Sequence, residues 1–407
     1  MALKGKNSFS IWSSFLGDII KEPVSKVAIW KRLNKLQIEC LQAILEETFQ
    51  ININNNKYLS STKQMVLFSP FSNVYIQDST IISIPDELSS FYKGSVSKGK
   101  QKSSVRIQTI YELKKGKYIE FDLGSFTDND QGSSGKITKI LKKGDLIIRD
   151  LGYFAIKVFK KIAEMDAYFL SRYKYGVNIY DKTTKEKLSL RDILNKNFVD
   201  INVIIGKEEQ LHCRMVAIKI SDAIANTRRR KAKQNRNKRV NYSAEYYFSL
   251  GWVIYITNVK RDIFECKKIM AAYRFRWLIE IIFKAWKSNF NIVKLVPEKP
   301  KANKNSKTDL KNYKHRIDTV IYMMLIFIVI FQIKIYLHFV FMIIEKYQKL
   351  ISLLKLSEYV AINIERIFKS NNLNEFEVAI AYYTTYEKRK KRKNYLERFL
   401  LSDSYEY

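Results

Sequence analysis

The feature that most restricts how this chain can fold is a change of hydrophobic period near Phe71. Before it, FSIWSSFLGDII, then Pro23, then VSKVAIWKRLNKLQIECLQAILEETF carry apolar residues at helical intervals, with Ser25 as a candidate N-cap. After it the period becomes two. In NVYIQDST, Val74, Ile76 and Asp78 share one face of a predicted strand that IISI continues. SVRIQTIYEL and KYIEFDLGS are the next strands, with Gly116 at the turn between them. A short amphipathic piece, SGKITKILKK, leads through Gly144 to DLIIRD, an apolar strand ending on Asp150. GYFAIKVFKKIAEMD then reads as a helix and AYFLSRYK as a strand. A strand meander followed by helix-separated strands predicts an α/β domain.

Further on, VDINVIIG, LHCRMVAIKI and GWVIYITNV are strand-like and surround a basic run from Arg228 to Arg239, which suggests an inserted β-rich domain. Helix resumes near Ile263 and continues through Phe290. PEKPKANKNSKTDLKNYKH breaks the pattern as a loop, and helices follow it.

Charge narrows the choice of partner. The chain has 407 residues, with 72 Lys and Arg against 40 Asp and Glu, a formal net charge of +32. Such a charge repels itself in a compact state unless a polyanion neutralises part of it, so nucleic acid is the first partner expected and an anionic membrane surface the second. With 46% apolar and 14% aromatic residues the charge decorates a folded body and not a disordered tail. Cys40, Cys213 and Cys266 lie far apart, which argues against a disulfide framework or zinc knuckle and fits a reducing cytoplasm. MALKGKNSFSIWSSF lacks the pattern of a secretory signal. Thr319 to Ile344 is strongly apolar but is interrupted by Gln332, Lys334 and His338, so a buried core helix is expected there in preference to a membrane span.

The richest segment is AYRFRWLIEIIFKAWKS. On a single helix advancing about 100° per residue, Tyr273, Arg276, Glu280 and Lys287 fall within an arc of about 60°, opposite an apolar face of Phe275, Leu278, Ile279, Ile282, Ala285 and Trp286. Spacing alone leaves two readings open, a surface helix with a routine Arg276–Glu280 ion pair, or a reactive stripe.

The spacing of those four residues resembles the signature of DDE-type transposases of the insertion sequence 4 family. IQDSTIISIP resembles the family's first acidic block, LIIRDLGYF its second, and WVIYITN the strand before the Glu helix. Leu151 departs from the pattern, since relatives often carry Arg there. The resemblance implies a ribonuclease-H-like catalytic core interrupted by a β-rich insertion domain, with helical N- and C-terminal regions. Residues 1–70, which match the family only in helical, basic character, read as either a helix-turn-helix carrying Lys26, Lys31, Arg32 and Lys35 or a plain helical bundle with a solvated basic face; 71–174 would be the first part of the core, and 175–260 the insertion. Residues 261–295 would supply the final core helix with its Glu, and 296–407 a C-terminal helical region for dimerisation or DNA binding.

By the same resemblance Asp78, Asp150 and Glu280 are the catalytic residues and metal ligands, holding two Mg²⁺ ions, with Mn²⁺ as a substitute. Hard carboxylate oxygens are the donors such ions prefer, and a pair of them about 4 Å apart activates a nucleophile and stabilises the leaving oxygen in displacement at phosphorus. Tyr273, Arg276 and Lys287 would hold the transposon end. The implied partners are double-stranded DNA, both terminal inverted repeats and target, and a second copy of the chain on paired ends. The implied setting is the bacterial cytoplasm at the nucleoid. A DNA-binding protein descended from a transposase but no longer catalytic is the alternative, and the intact acidic positions count against it.

Weaker signals surround this core. Trp252 is a candidate for stacking an unpaired base, a core tryptophan being the plainer reading. Arg228, Arg229 and Arg230 open RRRKAKQNRNKR, a candidate contact to the DNA backbone, and EKRKKRKNYLERF is a second. KGSVSKGKQ approaches a phosphate-binding loop, but Gln101 stands where Ser or Thr is needed and no strand-to-helix context surrounds it. His212, His315 and His338 have no partners in sequence for a histidine-based hydrolase.

Overall fold

Helices open the chain: α1 (Phe9–Ile20), α2 (Lys26–Arg32), α3 (Lys35–Gln50) and α4 (Lys63–Phe68). The computed structural model describes residues 9–51, 63–234, 242–292, 307–370 and 372–386. Ser25 caps α2 as its sequence predicts, its hydroxyl oxygen accepting from the Ala28 amide at 3.0 Å. The long second helix expected from Val24 onward is two helices. Asn34 has an extended backbone and its side chain accepts from the Gln37 amide at 3.1 Å, so α3 starts afresh there. An Asn side chain that can satisfy an orphan amide favours such a break over helix interior.

Then come β1 (Val74–Ile84), β2 (Lys93–Ser97), β3 (Lys100–Glu112), β4 (Lys117–Ser125), β5 (Leu146–Arg149), α5 (Ile156–Glu164), β6 (Tyr168–Arg172), β7 (Ile179–Asp181), β8 (Lys187–Leu188), β9 (Phe198–Ile205) and β10 (Leu211–Lys219). After these follow α6 (Asp222–Lys233), α7 (Ala244–Ser249), β11 (Trp252–Thr257), α8 (Cys266–Arg274), α9 (Trp277–Ser288), α10 (Lys307–Ile330), a π-helical turn (Phe331–Tyr336), α11 (Leu337–Tyr347), α12 (Leu353–Lys369) and α13 (Glu377–Tyr383). The protein is mixed α/β. Among the described residues it divides into two compact units interleaved along the chain. One holds residues up to Val66, Asp78–Asp128, and Trp277 onward; the other holds Leu67–Gln77 and Asn129–Arg276.

In the first unit β2 and β4 each pair antiparallel with β3. The β2–β3 hairpin occupies the near-match to a phosphate-binding loop. It turns through Lys98 (φ 49°) and Gly99 (φ 73°), left-handed positions that suit a two-residue hairpin turn and leave no helix to cradle a phosphate. On α9, Trp286 is 1% exposed and packs against Tyr118, Phe121 and Phe283 at ring distances of 5.8, 5.5 and 5.1 Å. The apolar C-terminal segment, Asp309–Tyr347, is long and apolar enough to cross a membrane, and 61% of its most apolar stretch is buried inside the protein. Gln332 within it donates to the Gly116 carbonyl at 2.7 Å and to the Tyr111 hydroxyl at 3.0 Å, so its polar group is satisfied in the interior.

In the second unit the strand order is β1–β5–β6–β11–β10–β9–β7–β8. The pairs β1–β5 and β5–β6 are parallel and the others antiparallel. Parallel neighbours need a crossover, and α5 supplies the one between β5 and β6, with Phe159 stacked on Phe169 at 4.6 Å. The strands predicted in 175–260 lie in this same sheet, where β11 joins β6. Leu146, Ile147 and Ile148 of β5 are each 0% exposed, the continuous apolar run typical of a strand covered on both faces.

The start of β5 is fixed by Asp145, which is 0% exposed. Its carboxylate accepts from the Asn73 amide at 3.1 Å, the Asn73 side-chain nitrogen at 2.8 Å and the Lys142 amide at 2.8 Å. Gly144 precedes it with φ 82°, where a Cβ would meet the Ser72 hydroxyl at 2.9 Å.

Candidate catalytic site

Asp150 follows the last residue of β5 and caps a 3₁₀ turn, Leu151–Tyr153, through its carbonyl, which accepts from the Tyr153 amide at 3.1 Å. The Gly of this acidic block has a physical reason. A Cβ on Gly152 would stand 3.0 Å from an Asp130 carboxylate oxygen, so a larger residue would push the Asp130 side chain aside. Tyr153 beside it is fully buried.

The Asp150 side chain is 42% exposed, which leaves its oxygens open to a ligand. Arg276 points at it, Nε to Oδ1 3.7 Å, while its own side chain is 7% exposed. That separation is an ion pair and not a hydrogen bond. Tyr273 is 5% exposed, its ring lies 5.0 Å from that of Tyr255, and its hydroxyl has no hydrogen-bond partner among the described residues. Burial drives the Tyr273 phenol above its ordinary range, partly opposed by the Arg276 charge, so it stays a neutral donor.

The single helix expected to carry Tyr273, Arg276, Glu280 and Lys287 as one exposed stripe is not what forms. Helices α8 and α9 are separated by a turn at Phe275 and Arg276, whose amides bond back to Ala272 at 3.1 Å and Tyr273 at 3.1 Å. Phe275 is 1% exposed and packs edge-on against Phe68 at 5.3 Å. Anchoring that ring tightens the turn and sends Tyr273 and Arg276 into the second unit's interior. Glu280 and Lys287 share α9 in the first unit, two turns apart on one side, the Glu half-buried and the Lys exposed.

Asp78 is half-buried in β1 and its carboxylate accepts from the Ser79 amide at 2.8 Å. Buried Arg106 of β3 donates to the Ser79 hydroxyl at 2.8 Å and to the Phe126 carbonyl at 3.0 Å, holding this stretch of β1. In the second unit the β1–β5 register pairs Gln77 with Arg149, the residues that precede Asp78 and Asp150 in sequence.

Sequence reasoning missed several neighbours of these acids. Arg149 and Gln77 directly precede the two aspartates, and burial lowers the Arg149 guanidinium to about 9, which leaves it charged at neutral pH. Arg172 ends β6. Arg149 pairs with Ser171 across β5–β6, so Arg172 stands level with Asp150, and Tyr255 is its register partner on the other side. Only pairing register, which the sequence does not display, reveals it.

Trp252 is 6% exposed and tilts against Phe248 at 6.5 Å. It lines a cavity of about 240 Å³ together with Lys196, Lys219, Arg229 and Gly251. Arg228 donates to the Trp252 carbonyl at 3.1 Å, and burial and then the like charge of Arg172 lower its guanidinium. Arg229 donates to the Tyr247 carbonyl at 3.1 Å and to Asn226 at 3.0 Å. Arg230 is exposed on α6. The rest of the basic run, from Asn235, and the basic stretch after Glu387 lie outside the described residues.

Among the described residues no three or more His, Cys, Asp or Glu side chains form a group that could hold a metal ion. Asp78, Asp150 and Glu280 are each part-exposed, and carboxylate oxygens are the donors a hard divalent cation prefers, but they are not among any such group.

Residues 69–305 match the family described as Transposase DDE domain. The transposase for insertion sequence element IS231F of Bacillus thuringiensis subsp. israelensis is 29% identical over 283 residues, 64% of this chain and 58% of that protein. That for IS231B of Bacillus thuringiensis subsp. berliner is 30% identical over the same shares, and that for IS1151 of Clostridium perfringens is 28% identical over 67% of this chain and 61% of its own length. The matched stretch thus spans less than two thirds of these relatives. A solved piggyBac transposase synaptic complex with hairpin DNA overlaps 80% of this chain and 60% of that chain at a TM-score of 0.35 and 10% identity, too loosely to carry an inference.

Proposed function

The chain belongs to the DDE-domain transposase family, and we propose that it binds the terminal inverted repeats of an insertion sequence and catalyses cut-and-paste DNA strand cleavage and transfer. The observation that carries this reading is the placement of the family's acidic blocks. All three carboxylates, Asp78, Asp150 and Glu280, lie within the matched residues, and the β1–β5 register ends on the residues that precede the two aspartates. The strand order, a meander of β1, β3 and β4 followed by β5 and β6 with α5 between them, supports a ribonuclease-H-like core, with residues 175–260 as a β-rich insertion between core strand and Glu helix.

Asp78, Asp150 and Glu280 would hold two Mg²⁺ ions, or Mn²⁺ in their place, which supply charge to activate the attacking water or 3′-hydroxyl and to stabilise the leaving oxygen. The chain's own residues do the rest. Arg276 places a fixed positive charge beside Asp150, where phosphate oxygens gather negative charge during displacement. Tyr273 presents a neutral hydroxyl with an unused donor, suited to a phosphate oxygen of the bound strand. Lys287, exposed on α9, reaches the DNA backbone at the last turn of the helix. The net charge of +32 supplies sequence-independent affinity for double-stranded DNA, and a pair of chains on two ends would join them at the bacterial nucleoid.

The test is cleavage of a DNA fragment carrying the inverted repeats that flank the coding region, with Mg²⁺, by the wild-type protein and by Glu280→Gln. The variant is expected to lose cleavage by at least ~10²-fold, the loss typical of removing a group that acts in the transition state, while end binding stays within about twofold. Undiminished cleavage by Glu280→Gln refutes the assignment of this residue.

A further inference from the structure

The side chain directly before Asp150 is costly to keep where it is. Arg149 is 0% exposed in a strand of apolar residues, and no carboxylate is among its hydrogen-bond partners. Among the described residues, only Nη2 of its three guanidinium nitrogens is bonded, to Gln77 Oε1 at 2.6 Å and to the Ser134 carbonyl. Nε and Nη1 are buried with no hydrogen-bond partner, and the Tyr153 ring lies 5.7 Å from the guanidinium carbon. A cation buried so incompletely satisfied is strongly unfavourable, and an apolar residue would fill the place more cheaply.

Its partners indicate what it does. Gln77 is the register partner of Arg149 across the parallel pair β1–β5. The Arg149–Gln77 bond is therefore a side-chain rung between two strands, set one residue before Asp150 on one and one residue before Asp78 on the other. Side chains alternate along an extended chain, so Arg149 and Asp150 leave opposite faces. Parallel strands lacking such a tie are held in register only by slanted backbone bonds. Asp145 and Asn73 tie the same strands at their opposite end. The bond to Ser134 adds the turn that precedes β5.

We propose that Arg149 is a positioning residue: its rung to Gln77 and its bond to the Ser134 carbonyl fix the end of β5 and so the position of Asp150, the next residue. The proposal rests on the reading of Asp150 as a metal ligand. Partners behind metal ligands typically change metal affinity by about 10–100-fold when removed.

The experiment measures Mn²⁺ binding to the full-length protein by electron paramagnetic resonance of the free ion, alongside circular dichroism and end cleavage as a function of Mn²⁺. Arg149→Met is expected to weaken Mn²⁺ binding about 10-fold or more. Its end affinity stays within about twofold, and cleavage returns at high Mn²⁺. Arg149→Lys, which keeps the charge and loses the fork, is expected to fall between Arg149→Met and wild type. Gln77→Leu breaks the rung while leaving Arg149 in place, and carries the test if neither Arg149 variant folds. Wild-type Mn²⁺ affinity in any folded variant of the three overturns the proposal. Asp150→Asn distinguishes the two levels: if it leaves Mn²⁺ binding unchanged, the metal-ligand reading itself fails and this proposal with it.

Discussion

Asp145→Ala tests whether the β1–β5 pair is held from its base as the structure implies. The buried carboxylate accepts three N–H groups, two of them backbone amides, at 2.8 to 3.1 Å. Hydrogen bonds to a charged group contribute roughly 1.5–3 kcal/mol each, and donors stranded in the interior add a desolvation cost. The sum is reduced because Lys142 is exposed and Asn73 half-buried, so water takes over part of what is lost. The expected net loss is about 2–4 kcal/mol. At about 2–4 °C per kcal/mol for a domain of 150–250 residues, the thermal unfolding midpoint of the second unit falls by roughly 5–15 °C. Asp145→Asn keeps one acceptor oxygen and the side-chain shape and is expected to lose about half as much. Circular dichroism melts of both variants provide the readout. A midpoint within about 2 °C of wild type for Asp145→Ala, or equal losses for Ala and Asn, would refute the claim that this carboxylate fixes the strand pair.

Tyr273→Phe removes a buried hydroxyl that has no partner, so the melting midpoint is expected to hold or rise slightly while gel-shift affinity for transposon ends drops about tenfold, some 1.4 kcal/mol; a lower midpoint with unchanged affinity contradicts both halves. Arg230→Ala and Arg229→Ala separate DNA contact from scaffold on α6. The first should lower the salt-dependence slope of DNA binding by about one without loss of stability, and the second should cost about 1 kcal/mol in urea unfolding through its bond to the Tyr247 carbonyl. Trp252→Ala is expected to destabilise by about 3–5 kcal/mol because the indole is 6% exposed, and a near-wild-type unfolding midpoint would show that Trp252 is not a packing residue.

Period and turn chemistry made most of the strand course legible. IQDSTIISIP, DLIIRD and AYFLSRYK each form strands as their patterns predict, because alternation and apolar runs reflect which faces are covered. Ser25 was legible for the same local reason. The edge strand β2 was not, since KGSVS carries no apolar alternation and pairs only because β3 offers it a neighbour. Helical spacing also misled at the richest motif. A wheel drawn on AYRFRWLIEIIFKAWKS gives one polar stripe, yet Phe275 packs against Phe68 and breaks the helix. No local pattern signals a ring captured by a residue two hundred positions away in the chain.

The sequence by itself determined the chemistry on offer: the acidic blocks at Asp78, Asp150 and Glu280, the Tyr273, Arg276 and Lys287 spacing, and a charge of +32 that calls for a polyanion. These are properties of residue type and order. Tertiary structure alone decided that Arg276 turns inward to within 3.7 Å of Asp150, that Tyr273 is buried with a spare donor, and that Arg149 and Gln77 tie two strands behind the acids. Each depends on strand register and long-range packing, which set distances between residues far apart in the chain and which no local propensity encodes.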